Sequence, residues 1–378
     1  MLNHFSLYLK KNKIIFMKLF SLAFTIALFG FWPKYASAQD NKGYIGTHPI
    51  VIPNIPNYFT LKCDFHMHTV FSDGQVWPIN RVDEAIRDGL DAIAVADHIE
   101  YTPKKDFIPA DHNAAWKICE TYAMENNLIL VHGTEITRTM PPGHFNALFI
   151  TDVNLIAKDS VWDNFEEAIK QGAFLQWNHP GWKRQEPDGI PKLYEMHRKL
   201  IKNGWLHGIE VYNDADFYPE AFTICEENNI TMTGNSDIHA VISERYPNPL
   251  HRPMTLVFAK ERSHNALKEA MFAGRTMVYF GDKLAGREEY AKPFFYQCIS
   301  LGKPFYQTEK TLFFEVTNNS DVPFFLVNGI KDAPPSITLE ANSVTRVAVS
   351  KKVTSPLSYD VNNVITGEKK VLRIELKY

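Results

Sequence analysis

Short apolar runs alternate with amphipathic stretches along most of the chain. The apolar runs have the length and composition of buried strands. The seven predicted strands are Leu61–His68, Asp91–Asp97, Leu128–Glu135, Phe145–Ile150, Ala173–Trp177, Gly208–Tyr212 and Ile230–Gly234. The helices predicted between most of them are Asn80–Asp88, Asn113–Glu125, Asp163–Gln171, Pro191–Asn203 and Pro219–Asn228. Strands that alternate with helices are typical of a mostly parallel sheet or barrel.

One connection departs from this alternation. Between Glu135 and Phe145 there is only a loop with two prolines and a glycine, which is too short for a crossover helix. We therefore predict an antiparallel hairpin at this point. A further strand, Met254–Ala259, and a further helix, Ser263–Ala273, close this region, which we assign to residues 61–290.

From about Ala291 the apolar runs are no longer separated by helical patterns. Runs such as Leu312–Thr317, Pro323–Val327 and Val371–Leu376 are connected by turn residues instead. This pattern predicts a small β-sandwich domain over residues 291–378, appended to the α/β region.

Residues 1–38 have the features of a secretory signal. Lysines precede an apolar run, Leu19–Trp32, and the small residues Ala36–Ala38 match a cleavage site. The run is shorter than the roughly 20 residues that a spanning helix needs, and an uncleaved anchor is the competing interpretation. We expect a cleaved signal, a lead at residues 39–60, a secreted or periplasmic protein, and no stable membrane insertion after cleavage.

The composition is that of a globular protein, with 45% hydrophobic and 22% charged residues, which excludes a disordered, collagen-like or coiled-coil chain. Removing the five lysines of residues 1–38 from a net charge of −3 leaves −8. An acidic chain without a basic run is not typical of a nucleic-acid binder. We expect no nucleic-acid partner, and an anionic small-molecule substrate must be held by a local positive centre. The sequence predicts no particular oligomeric state.

The four cysteines, Cys63, Cys119, Cys225 and Cys298, are scattered without the spacing of a zinc ribbon. In a chain of this length they do not make a disulfide framework. We interpret them as small buried apolar residues, and a Cys119–Cys225 bridge remains an open alternative.

Metal-ligand residue types recur where the predicted strands give way to loops. These positions are His66, His68, Asp73, His98, Glu135, His144, His179, Asp237 and His239. In an array of β and α units the carboxyl ends of the strands lie together, and active sites of barrels are found there. One histidine at a strand end is usually a polar packing residue, but packing gives no reason for nine such groups at one rim.

Imidazole and carboxylate are the ligands that suit zinc, manganese and iron. Nine such groups exceed what one ion can use. The sequence therefore predicts a site for two or three divalent ions.

The motifs around these positions indicate a family. They are His66-x-His68 with Ser72-Asp73-Gly74, then Ala96-Asp97-His98, Gly133-Thr134-Glu135, His144, Asn178-His179-Pro180 and Ser236-Asp237-x-His239. Over roughly Leu61 to Gly281 the chain resembles the PHP (polymerase and histidinol phosphatase) superfamily, whose fold is a distorted seven-stranded β/α barrel that holds two or three divalent ions. With an export signal and a C-terminal β-domain, the chain is similar to the Sb-PDE-type phosphodiesterases of that superfamily.

The resemblance implies a ligand set. It assigns the first ion to His66, His68, Glu135 and Asp237, the second to Glu135, His144 and His179, and the third to Asp73, His98 and His239. Family members often have histidine where this chain has Asp73, and a carboxylate there favours manganese or iron over zinc. Asp97 either orients a ligand imidazole or caps its strand.

The remaining site residues are expected around the same rim. Glu135 and Asp237 are catalytic candidates through the ions they hold, and His207 or a metal-bound water is the candidate proton donor to the leaving alkoxide. Lys183, Arg184, Arg245 and Arg252 are candidate phosphate contacts, although each alone also fits a solvated surface. The aromatic residues that would form an apolar wall for an aryl or bulky alkyl ester are Tyr101, Trp182, Tyr212 and Tyr246.

Together these features predict an exported phosphodiesterase that hydrolyses organic phosphodiesters by attack of metal-bound hydroxide. One alternative is a phosphomonoesterase with the same ions, which would need more cationic residues around the doubly charged phosphate. A second is a non-catalytic metal-binding module, and a third is metal-dependent hydrolysis of a carboxylic or carbohydrate bond.

Overall fold

The structure is a computed structural model, and it describes residues 49–378. The predicted signal at residues 1–38 and the first part of the predicted lead, residues 39–48, lie outside the described residues. Within residues 49–378 no helix is long and apolar enough to cross a membrane.

The N-terminal part of the described chain alternates strands with helices, as the apolar pattern predicts. Its strands are β1 (Phe59–Asp64), β2 (Ala92–Val95), β3 (Ile129–Ile136), β4 (Phe145–Leu148), β5 (Phe174–Trp177), β6 (Gly208–Asn213), β7 (Asp216–Phe217), β8 (Thr231–Asn235), β9 (Met254–Ala259), β10 (Thr276–Phe280) and β11 (Lys283–Gly286). Its helices are α1 (Pro78–Arg87), α2 (Ala114–Glu125), α3 (Val153–Ile156), α4 (Val161–Lys170), α5 (Glu195–Lys202), α6 (Pro219–Asn228), α7 (Ile242–Arg245) and α8 (His264–Phe272).

The sheet is parallel except at the predicted hairpin, at the short strand β7, which pairs antiparallel with β6, and from β9 to β11. β1, β2 and β3 pair in parallel, and so do β5, β6 and β8. β4 pairs antiparallel with both β3 and β5, with Ile136 opposite Phe145, which confirms the hairpin. β9, β10 and β11 continue antiparallel from β1.

The strands from β1 to β8 curve back on themselves. Beyond its pairing with β6, the end of β8 meets the end of β1, where the His68 amide donates to the Ile238 carbonyl at 3.0 Å. The Phe65 amide donates to Asn235 Oδ1 at 2.8 Å in the same place. The carboxyl ends of strands from both ends of this series are therefore brought side by side.

Burial explains why the short central strands form. All four residues of β2, Ala92–Val95, are buried, as expected for a parallel strand covered on both faces. Two helices of this part, α4 and α8, begin at side-chain caps: the Ser160 side chain accepts from the Asp163 amide, and the Ser263 side chain accepts from the Ala266 amide at 3.2 Å.

The C-terminal part begins with helix α9 (Glu288–Cys298) and is otherwise made of strands. They are β12 (Ile299–Leu301), β13 (Tyr306–Gln307), β14 (Thr311–Asn318), β15 (Phe324–Val327), β16 (Ser336–Leu339), β17 (Ser343–Ser350), β18 (Leu357–Gly367) and β19 (Lys370–Leu376). One sheet contains β12, β13, β14 and β17, and the other contains β15, β16, β18 and β19. Apolar side chains of both sheets, such as Phe314 and Tyr359, belong to one buried cluster.

The second of these sheets is continuous with the sheet of the N-terminal part. β11 pairs in parallel with β18, with Leu284 opposite Val364 and Ala285 opposite Ile365. The sequence pattern does not predict this pairing, because strand partners distant in sequence leave no local signal. It also does not predict the β10–β11 hairpin and α9. The β-domain is thus built onto the edge of the central sheet.

The four cysteines are buried and unpaired within residues 49–378. This confirms their interpretation as apolar packing residues. The open alternative, a Cys119–Cys225 bridge, is not formed.

Candidate metal centre

All nine predicted ligands lie where strands end at one side of the sheet. His66 and His68 follow β1, His98 follows β2, and His179 follows β5. Glu135 lies near the end of β3 and forms a bridge with His98, while Asp237 and His239 follow β8. Asp73 comes from the loop after β1, and His144 directly precedes β4. The topology therefore brings these side chains together, as their positions at the predicted strand ends indicate.

Their ligand atoms form three overlapping groups. In each group, one nitrogen or carboxylate oxygen from every member lies within 4.8 Å of those of the others. The groups are His66, His68 and Asp237; His66, Glu135 and His179; and His68, Asp73, His98 and His239. These groups resemble the ligand set implied by the family but differ from it in three ways. His68 also lies with Asp73, His66 also lies with Glu135 and His179, and Glu135 is absent from the group of His66, His68 and Asp237.

His144 stands beside these groups rather than in one of them. Its Nδ1 is 2.8 Å from Glu135 Oε1, and its ring packs against those of His179 and Trp182. In this arrangement it contacts the carboxylate that the family pattern uses as a bridge.

The unpaired atoms of the cluster test whether a cation fits. His66 Nε2 is fully buried and makes no hydrogen bond within the described part of the chain, although it lies 3.3 Å from Asp237 Oδ1 and 3.5 Å from Glu135 Oε2. Asp73 Oδ1 is likewise buried and without a hydrogen bond. Buried polar atoms are normally paired, and an imidazole nitrogen facing two carboxylates is the donor set of a divalent cation. The residues present fit bound metal.

Glu210, which the sequence analysis does not identify, fixes the orientation of His66. Its Oε1 is 2.9 Å from His66 Nδ1, which leaves Nε2 directed at the cluster. The carboxylate is fully buried and also accepts from the His179 amide at 2.7 Å, Asn213 Nδ2 at 2.8 Å and Asn235 Nδ2 at 2.9 Å. A carboxylate behind a ligand histidine sets its tautomer and raises its basicity. A charged residue inside an apolar strand is the sequence signal that points to this role.

Asp97 holds the loop that follows the first two ligands. It accepts from the Thr69 amide at 2.7 Å and from the hydroxyls of Thr69 and Ser72 at 2.6 Å each. Ser72 Oγ lies 3.5 Å from His68 Nδ1. Asp97 therefore acts on the His68 imidazole through Ser72 and the loop, which is closer to the orienting interpretation than to the strand cap.

Arg81 connects two ligand-bearing loops, and the sequence pattern does not point to it either. Its buried guanidinium donates to the carbonyls of His68 at 2.9 Å, Ile238 at 3.1 Å, His239 at 3.0 Å and Ala240 at 2.8 Å. Glu84, one turn further along α1, accepts from the same guanidinium at 2.6 Å. These bonds fix the loops after β1 and β8 relative to each other.

The electrostatics of the cluster keep its carboxylates ionised. Burial raises the pKa of Glu135, but His98, His144 and His66 lower it more, so that the net pKa is well below the usual value. Burial likewise raises the pKa of Asp237, and the neighbouring histidines reverse that effect and bring the pKa below its ordinary value. Ionised carboxylates are the form that binds cations.

The histidines of the cluster differ among themselves. Burial, followed by the repulsion of His98, lowers the pKa of His68 to about 3, so its ring is neutral and has a free lone pair. Burial also lowers the pKa of His98, but Glu135 and Asp73 outweigh it and raise it to about 10. Metal binding at this end of the cluster therefore displaces protons.

A cleft of about 540 Å³ opens above the cluster. Seven of the nine predicted ligands line it, namely Asp73, His98, Glu135, His144, His179, Asp237 and His239. The other lining residues are Tyr101, Thr137, Trp182, Arg184, Asn213, Asp214, Asp216 and Tyr218. The predicted contacts Arg184, Tyr101 and Trp182 thus share the cleft with the ligands.

A solved structure allows the family to be assigned. It is a two-domain protein of Bacteroides vulgatus that contains a predicted PHP-like metal-dependent phosphoesterase, and it is 41% identical to this chain, with a TM-score of 0.85 over 89% of this chain and 100% of that chain. The chain belongs to this PHP-like family of metal-dependent phosphoesterases.

Two further comparisons cover parts of the chain. The C-terminal domain of this PHP-like protein matches the model of an Ig-like domain family (DUF5001) over residues 299–377. A curated protein of Methanocaldococcus jannaschii is 32% identical over 81 residues, which is 21% of this chain and 36% of that protein. The chain thus spans about a third of the length of that relative.

Three predicted substrate contacts of this PHP-like protein lie beside the cleft rather than in its lining. Lys183 is exposed next to Arg184. Tyr212 stacks on Phe280 with ring centroids 4.0 Å apart. Arg245 is occupied by Asp214, to which its Nε and Nη2 donate at 2.6 and 2.7 Å.

Arg252 is not a phosphate contact. It is fully buried, with Nη1 3.2 Å from Asp64 and Nη2 2.8 Å from Asp88. Both carboxylates hold it behind β1, so it is unavailable to a ligand in the cleft.

His207 is not the proton donor. It precedes β6, at the end of the strand remote from the cluster, and its Nδ1 accepts from the Leu175 amide at 3.0 Å. Its ring stacks on Phe174. His207 precedes the predicted strand Gly208–Tyr212, so the rule that sites lie at the carboxyl ends of strands already argues against it.

Proposed function

We propose that the protein is an exported, metal-dependent phosphodiesterase that hydrolyses small organic phosphodiesters. The observation that carries the choice of diester over monoester is the charge of the cleft. Among the described residues, Arg184 is the only arginine or lysine that lines it, whereas Asp214 and Asp216 line it as well. A diester carries one negative charge, so bound ions and one arginine suffice, while a dianionic monoester calls for more converging cations.

The proposal includes the finer features that the family resemblance implies. The seven strands β1 to β6 and β8 would form the distorted β/α barrel, which their return from β8 to β1 supports. Two or three ions, manganese, zinc or iron, would be held by the three groups around His66 and His68, with His144 completing the set at Glu135. Residues 1–38 would direct export, and residues 61–290 and 291–378 would be the catalytic and β-sandwich domains.

The bound ions would supply Lewis-acid stabilisation of the phosphoryl oxygens and a lowered pKa for an attacking water. The chain's own residues do the rest. Glu210 keeps the His66 ring in one tautomer, and Arg81 keeps the two ligand loops in register. Arg184, with its guanidinium 5.4 Å from the centre of the Trp182 ring, is placed to hold a non-bridging oxygen. Hydrolysis then adds the water oxygen to phosphorus while one proton goes to the departing alkoxide.

The test is turnover by the mature protein, loaded with manganese, of 4-nitrophenyl methyl phosphate beside 4-nitrophenyl phosphate. We expect cleavage of the diester to be faster than that of the monoester and to stop when a chelator removes the metal. Faster cleavage of the monoester would replace the proposal by a phosphomonoesterase. Failure to cleave either ester by a protein that binds metal would point to another bond or to a binding role.

A further inference from the structure

One wall of the cleft is formed by the tip of a β-hairpin. β6 and β7 pair antiparallel, with Tyr212 opposite Phe217 and Asn213 opposite Asp216, so only two residues make the turn. Asp214 in that turn has a positive φ of 50°. We call Asp214, Asp216 and Tyr218, all of which line the cleft, the hairpin wall.

Tyr218 brings a buried and unsatisfied hydroxyl to the hairpin wall. Its side chain is 3% exposed, and its hydroxyl makes no hydrogen bond to any residue of the described chain. The residue is held firmly, because its amide donates to the Val211 carbonyl at 2.8 Å. Its ring also packs so closely on the turn after His179 that a Cβ at Gly181 would lie 2.8 Å from it. Buried hydroxyls are normally paired, and because Tyr218 also lines the cleft, its hydroxyl is a candidate donor to a ligand bound there.

The carboxylates of the hairpin wall differ in their partners. Asp214 is fixed by Arg245 and accepts from the Tyr246 hydroxyl at 3.2 Å. Asp216 is exposed, and no side chain between residues 49 and 378 forms an ion pair with it. The hairpin wall therefore presents one uncompensated negative charge to the cleft.

This charge decides which part of a diester the hairpin wall receives. The negative charge of a phosphodiester resides on its non-bridging oxygens, which the metal groups and Arg184 attract and Asp216 repels. The ester oxygen of the leaving alcohol carries no formal charge in the substrate and accepts a hydrogen bond from a neutral donor. The Tyr218 hydroxyl is such a donor, since burial and then Asp216, Glu210 and Asp237 raise its pKa and keep it protonated.

We propose that the hairpin wall binds the leaving alcohol, that Tyr218 donates a hydrogen bond to its ester oxygen, and that Asp216 selects an uncharged or cationic alcohol over an anionic one. This inference rests on the proposed phosphodiesterase function. It narrows the substrate class to diesters whose leaving alcohol bears no further negative charge.

The charge selection is tested with three methyl aryl phosphates that carry a carboxylate, a carboxamide or a trimethylammonium group at the same ring position. For each ester, kcat/KM is measured with the manganese-loaded wild type and with manganese-loaded Asp216→Asn. The intrinsic reactivity of the ester then cancels when the two proteins are compared. We expect Asp216→Asn to reduce the preference for carboxamide over carboxylate by about tenfold, and to reduce the preference for the cationic ester as well. Asp159→Asn, which removes an exposed carboxylate outside the cleft, should leave both ratios unchanged. Unchanged ratios in Asp216→Asn would overturn the selection.

The hydrogen bond from Tyr218 is tested with Tyr218→Phe. Its kcat should fall by about tenfold for a phosphodiester with a methyl group and a simple alkyl leaving group. The fall should be much smaller for 4-nitrophenyl methyl phosphate, whose leaving oxygen needs little stabilisation. Metal content should stay at the wild-type level. Tyr306→Phe, an exposed tyrosine of the β-domain, is the control. An equal loss with both leaving groups, or no loss, would overturn the assignment.

The role of the hairpin wall and the phosphodiesterase function can be refuted separately. Cleavage of the carboxamide ester by wild type, with ratios that Asp216→Asn does not change, refutes the hairpin wall and leaves the phosphodiesterase proposal intact. If no diester is cleaved by metal-loaded protein, the proposed function itself is refuted.

Discussion

Two sets of buried histidines in this protein show how strongly surroundings decide what a residue does. In the metal centre, His66 and His68 have carboxylates as neighbours, and His66 Nε2 is left without a hydrogen bond. His132, His197 and His207 lie instead against aromatic rings, those of Trp116, Trp177 and Phe174.

The histidines of the second set are neutral; His197 and His207 make hydrogen bonds, while His132 Nε2 has no partner among the described residues. Burial lowers the pKa of His132, His197 and His207 to about 4 in each case. His197, for example, is 2.7 Å from the Pro142 carbonyl through Nε2 and accepts from the Tyr194 amide through Nδ1. Burial alone therefore does not mark a functional histidine. Nor does an unused ring nitrogen alone, because His132 Nε2 is also without a partner among the described residues. Convergence with carboxylates does.

The sharpest way to break this comparison is to remove a ligand. His179→Ala and Asp237→Asn should each lose bound metal and reduce diesterase kcat/KM by at least about a hundredfold, because a ligand contributes more than the residues behind it. Metal content is measured by mass spectrometry of the purified protein, with Asp188→Asn, an exposed carboxylate, as control. Wild-type metal content and activity in both variants would remove these residues from the site.

The next largest effect is expected at Glu210. Glu210→Gln keeps the size of the side chain but removes the charge behind His66, so metal affinity should fall by about ten- to a hundredfold. The affinity is measured by competition with a chromogenic chelator. Excess manganese should restore most of the turnover, and this rescue separates a weakened site from a misfolded protein. An unaltered affinity would mean that the charge of Glu210 does not contribute to metal binding through His66.

A smaller effect is expected at the cleft. Arg184→Ala should raise KM for anionic esters by about tenfold, because one charged hydrogen bond to the phosphate is lost, and should leave metal content unchanged. Lys183→Ala is the matched control, since Lys183 is the exposed neighbour outside the cleft lining. Equal kinetics of the two variants would mean that Arg184 is a solvated surface residue that does not contact the phosphate.

The smallest effect concerns the histidines that pack against aromatic rings. It appears only in how the free energy of unfolding depends on pH. The folded pKa of His197, about 4, is below the usual value of about 6.5 for an unfolded chain. Between these pH values the unfolded chain binds the proton and the folded protein does not. The contribution of His197 to the free energy of unfolding is therefore fully present above about pH 6.5 and is lost as the pH drops towards 4. His197→Gln should therefore flatten this decline by about 1–3 kcal/mol.

The pH experiment uses urea unfolding of metal-free wild type and variant at several values between pH 7 and pH 4. The metal-centre histidines titrate in both proteins, so their contribution cancels in the difference. A parallel decline of the two proteins would show that His197 does not carry a depressed pKa in the folded state.

Much of the fold is accessible from local patterns. β9 and α6 have the predicted bounds, and the other predicted strands of the α/β region differ from the observed ones only at their ends. The β10–β11 hairpin is not predicted, and neither is the joining of β11 to β18, whose partner lies about 80 residues further along the chain and is chosen by packing. The sequence likewise predicts that His66, His68 and Asp237 converge, since parallel strands share a carboxyl end.

By itself, then, the sequence determines which residue types stand at the strand ends, and this is enough to predict a metal centre and a family. Tertiary structure decides which side chains act behind that centre. Glu210 and Arg81 come from the middle of a strand and a helix, and only packing directs them at His66 and at the loop carbonyls. It also decides that Tyr218 lines the cleft. The physical reason is that strand and helix periodicity set the face of a residue, whereas the partner of a buried polar atom is set by whatever the fold brings opposite to it.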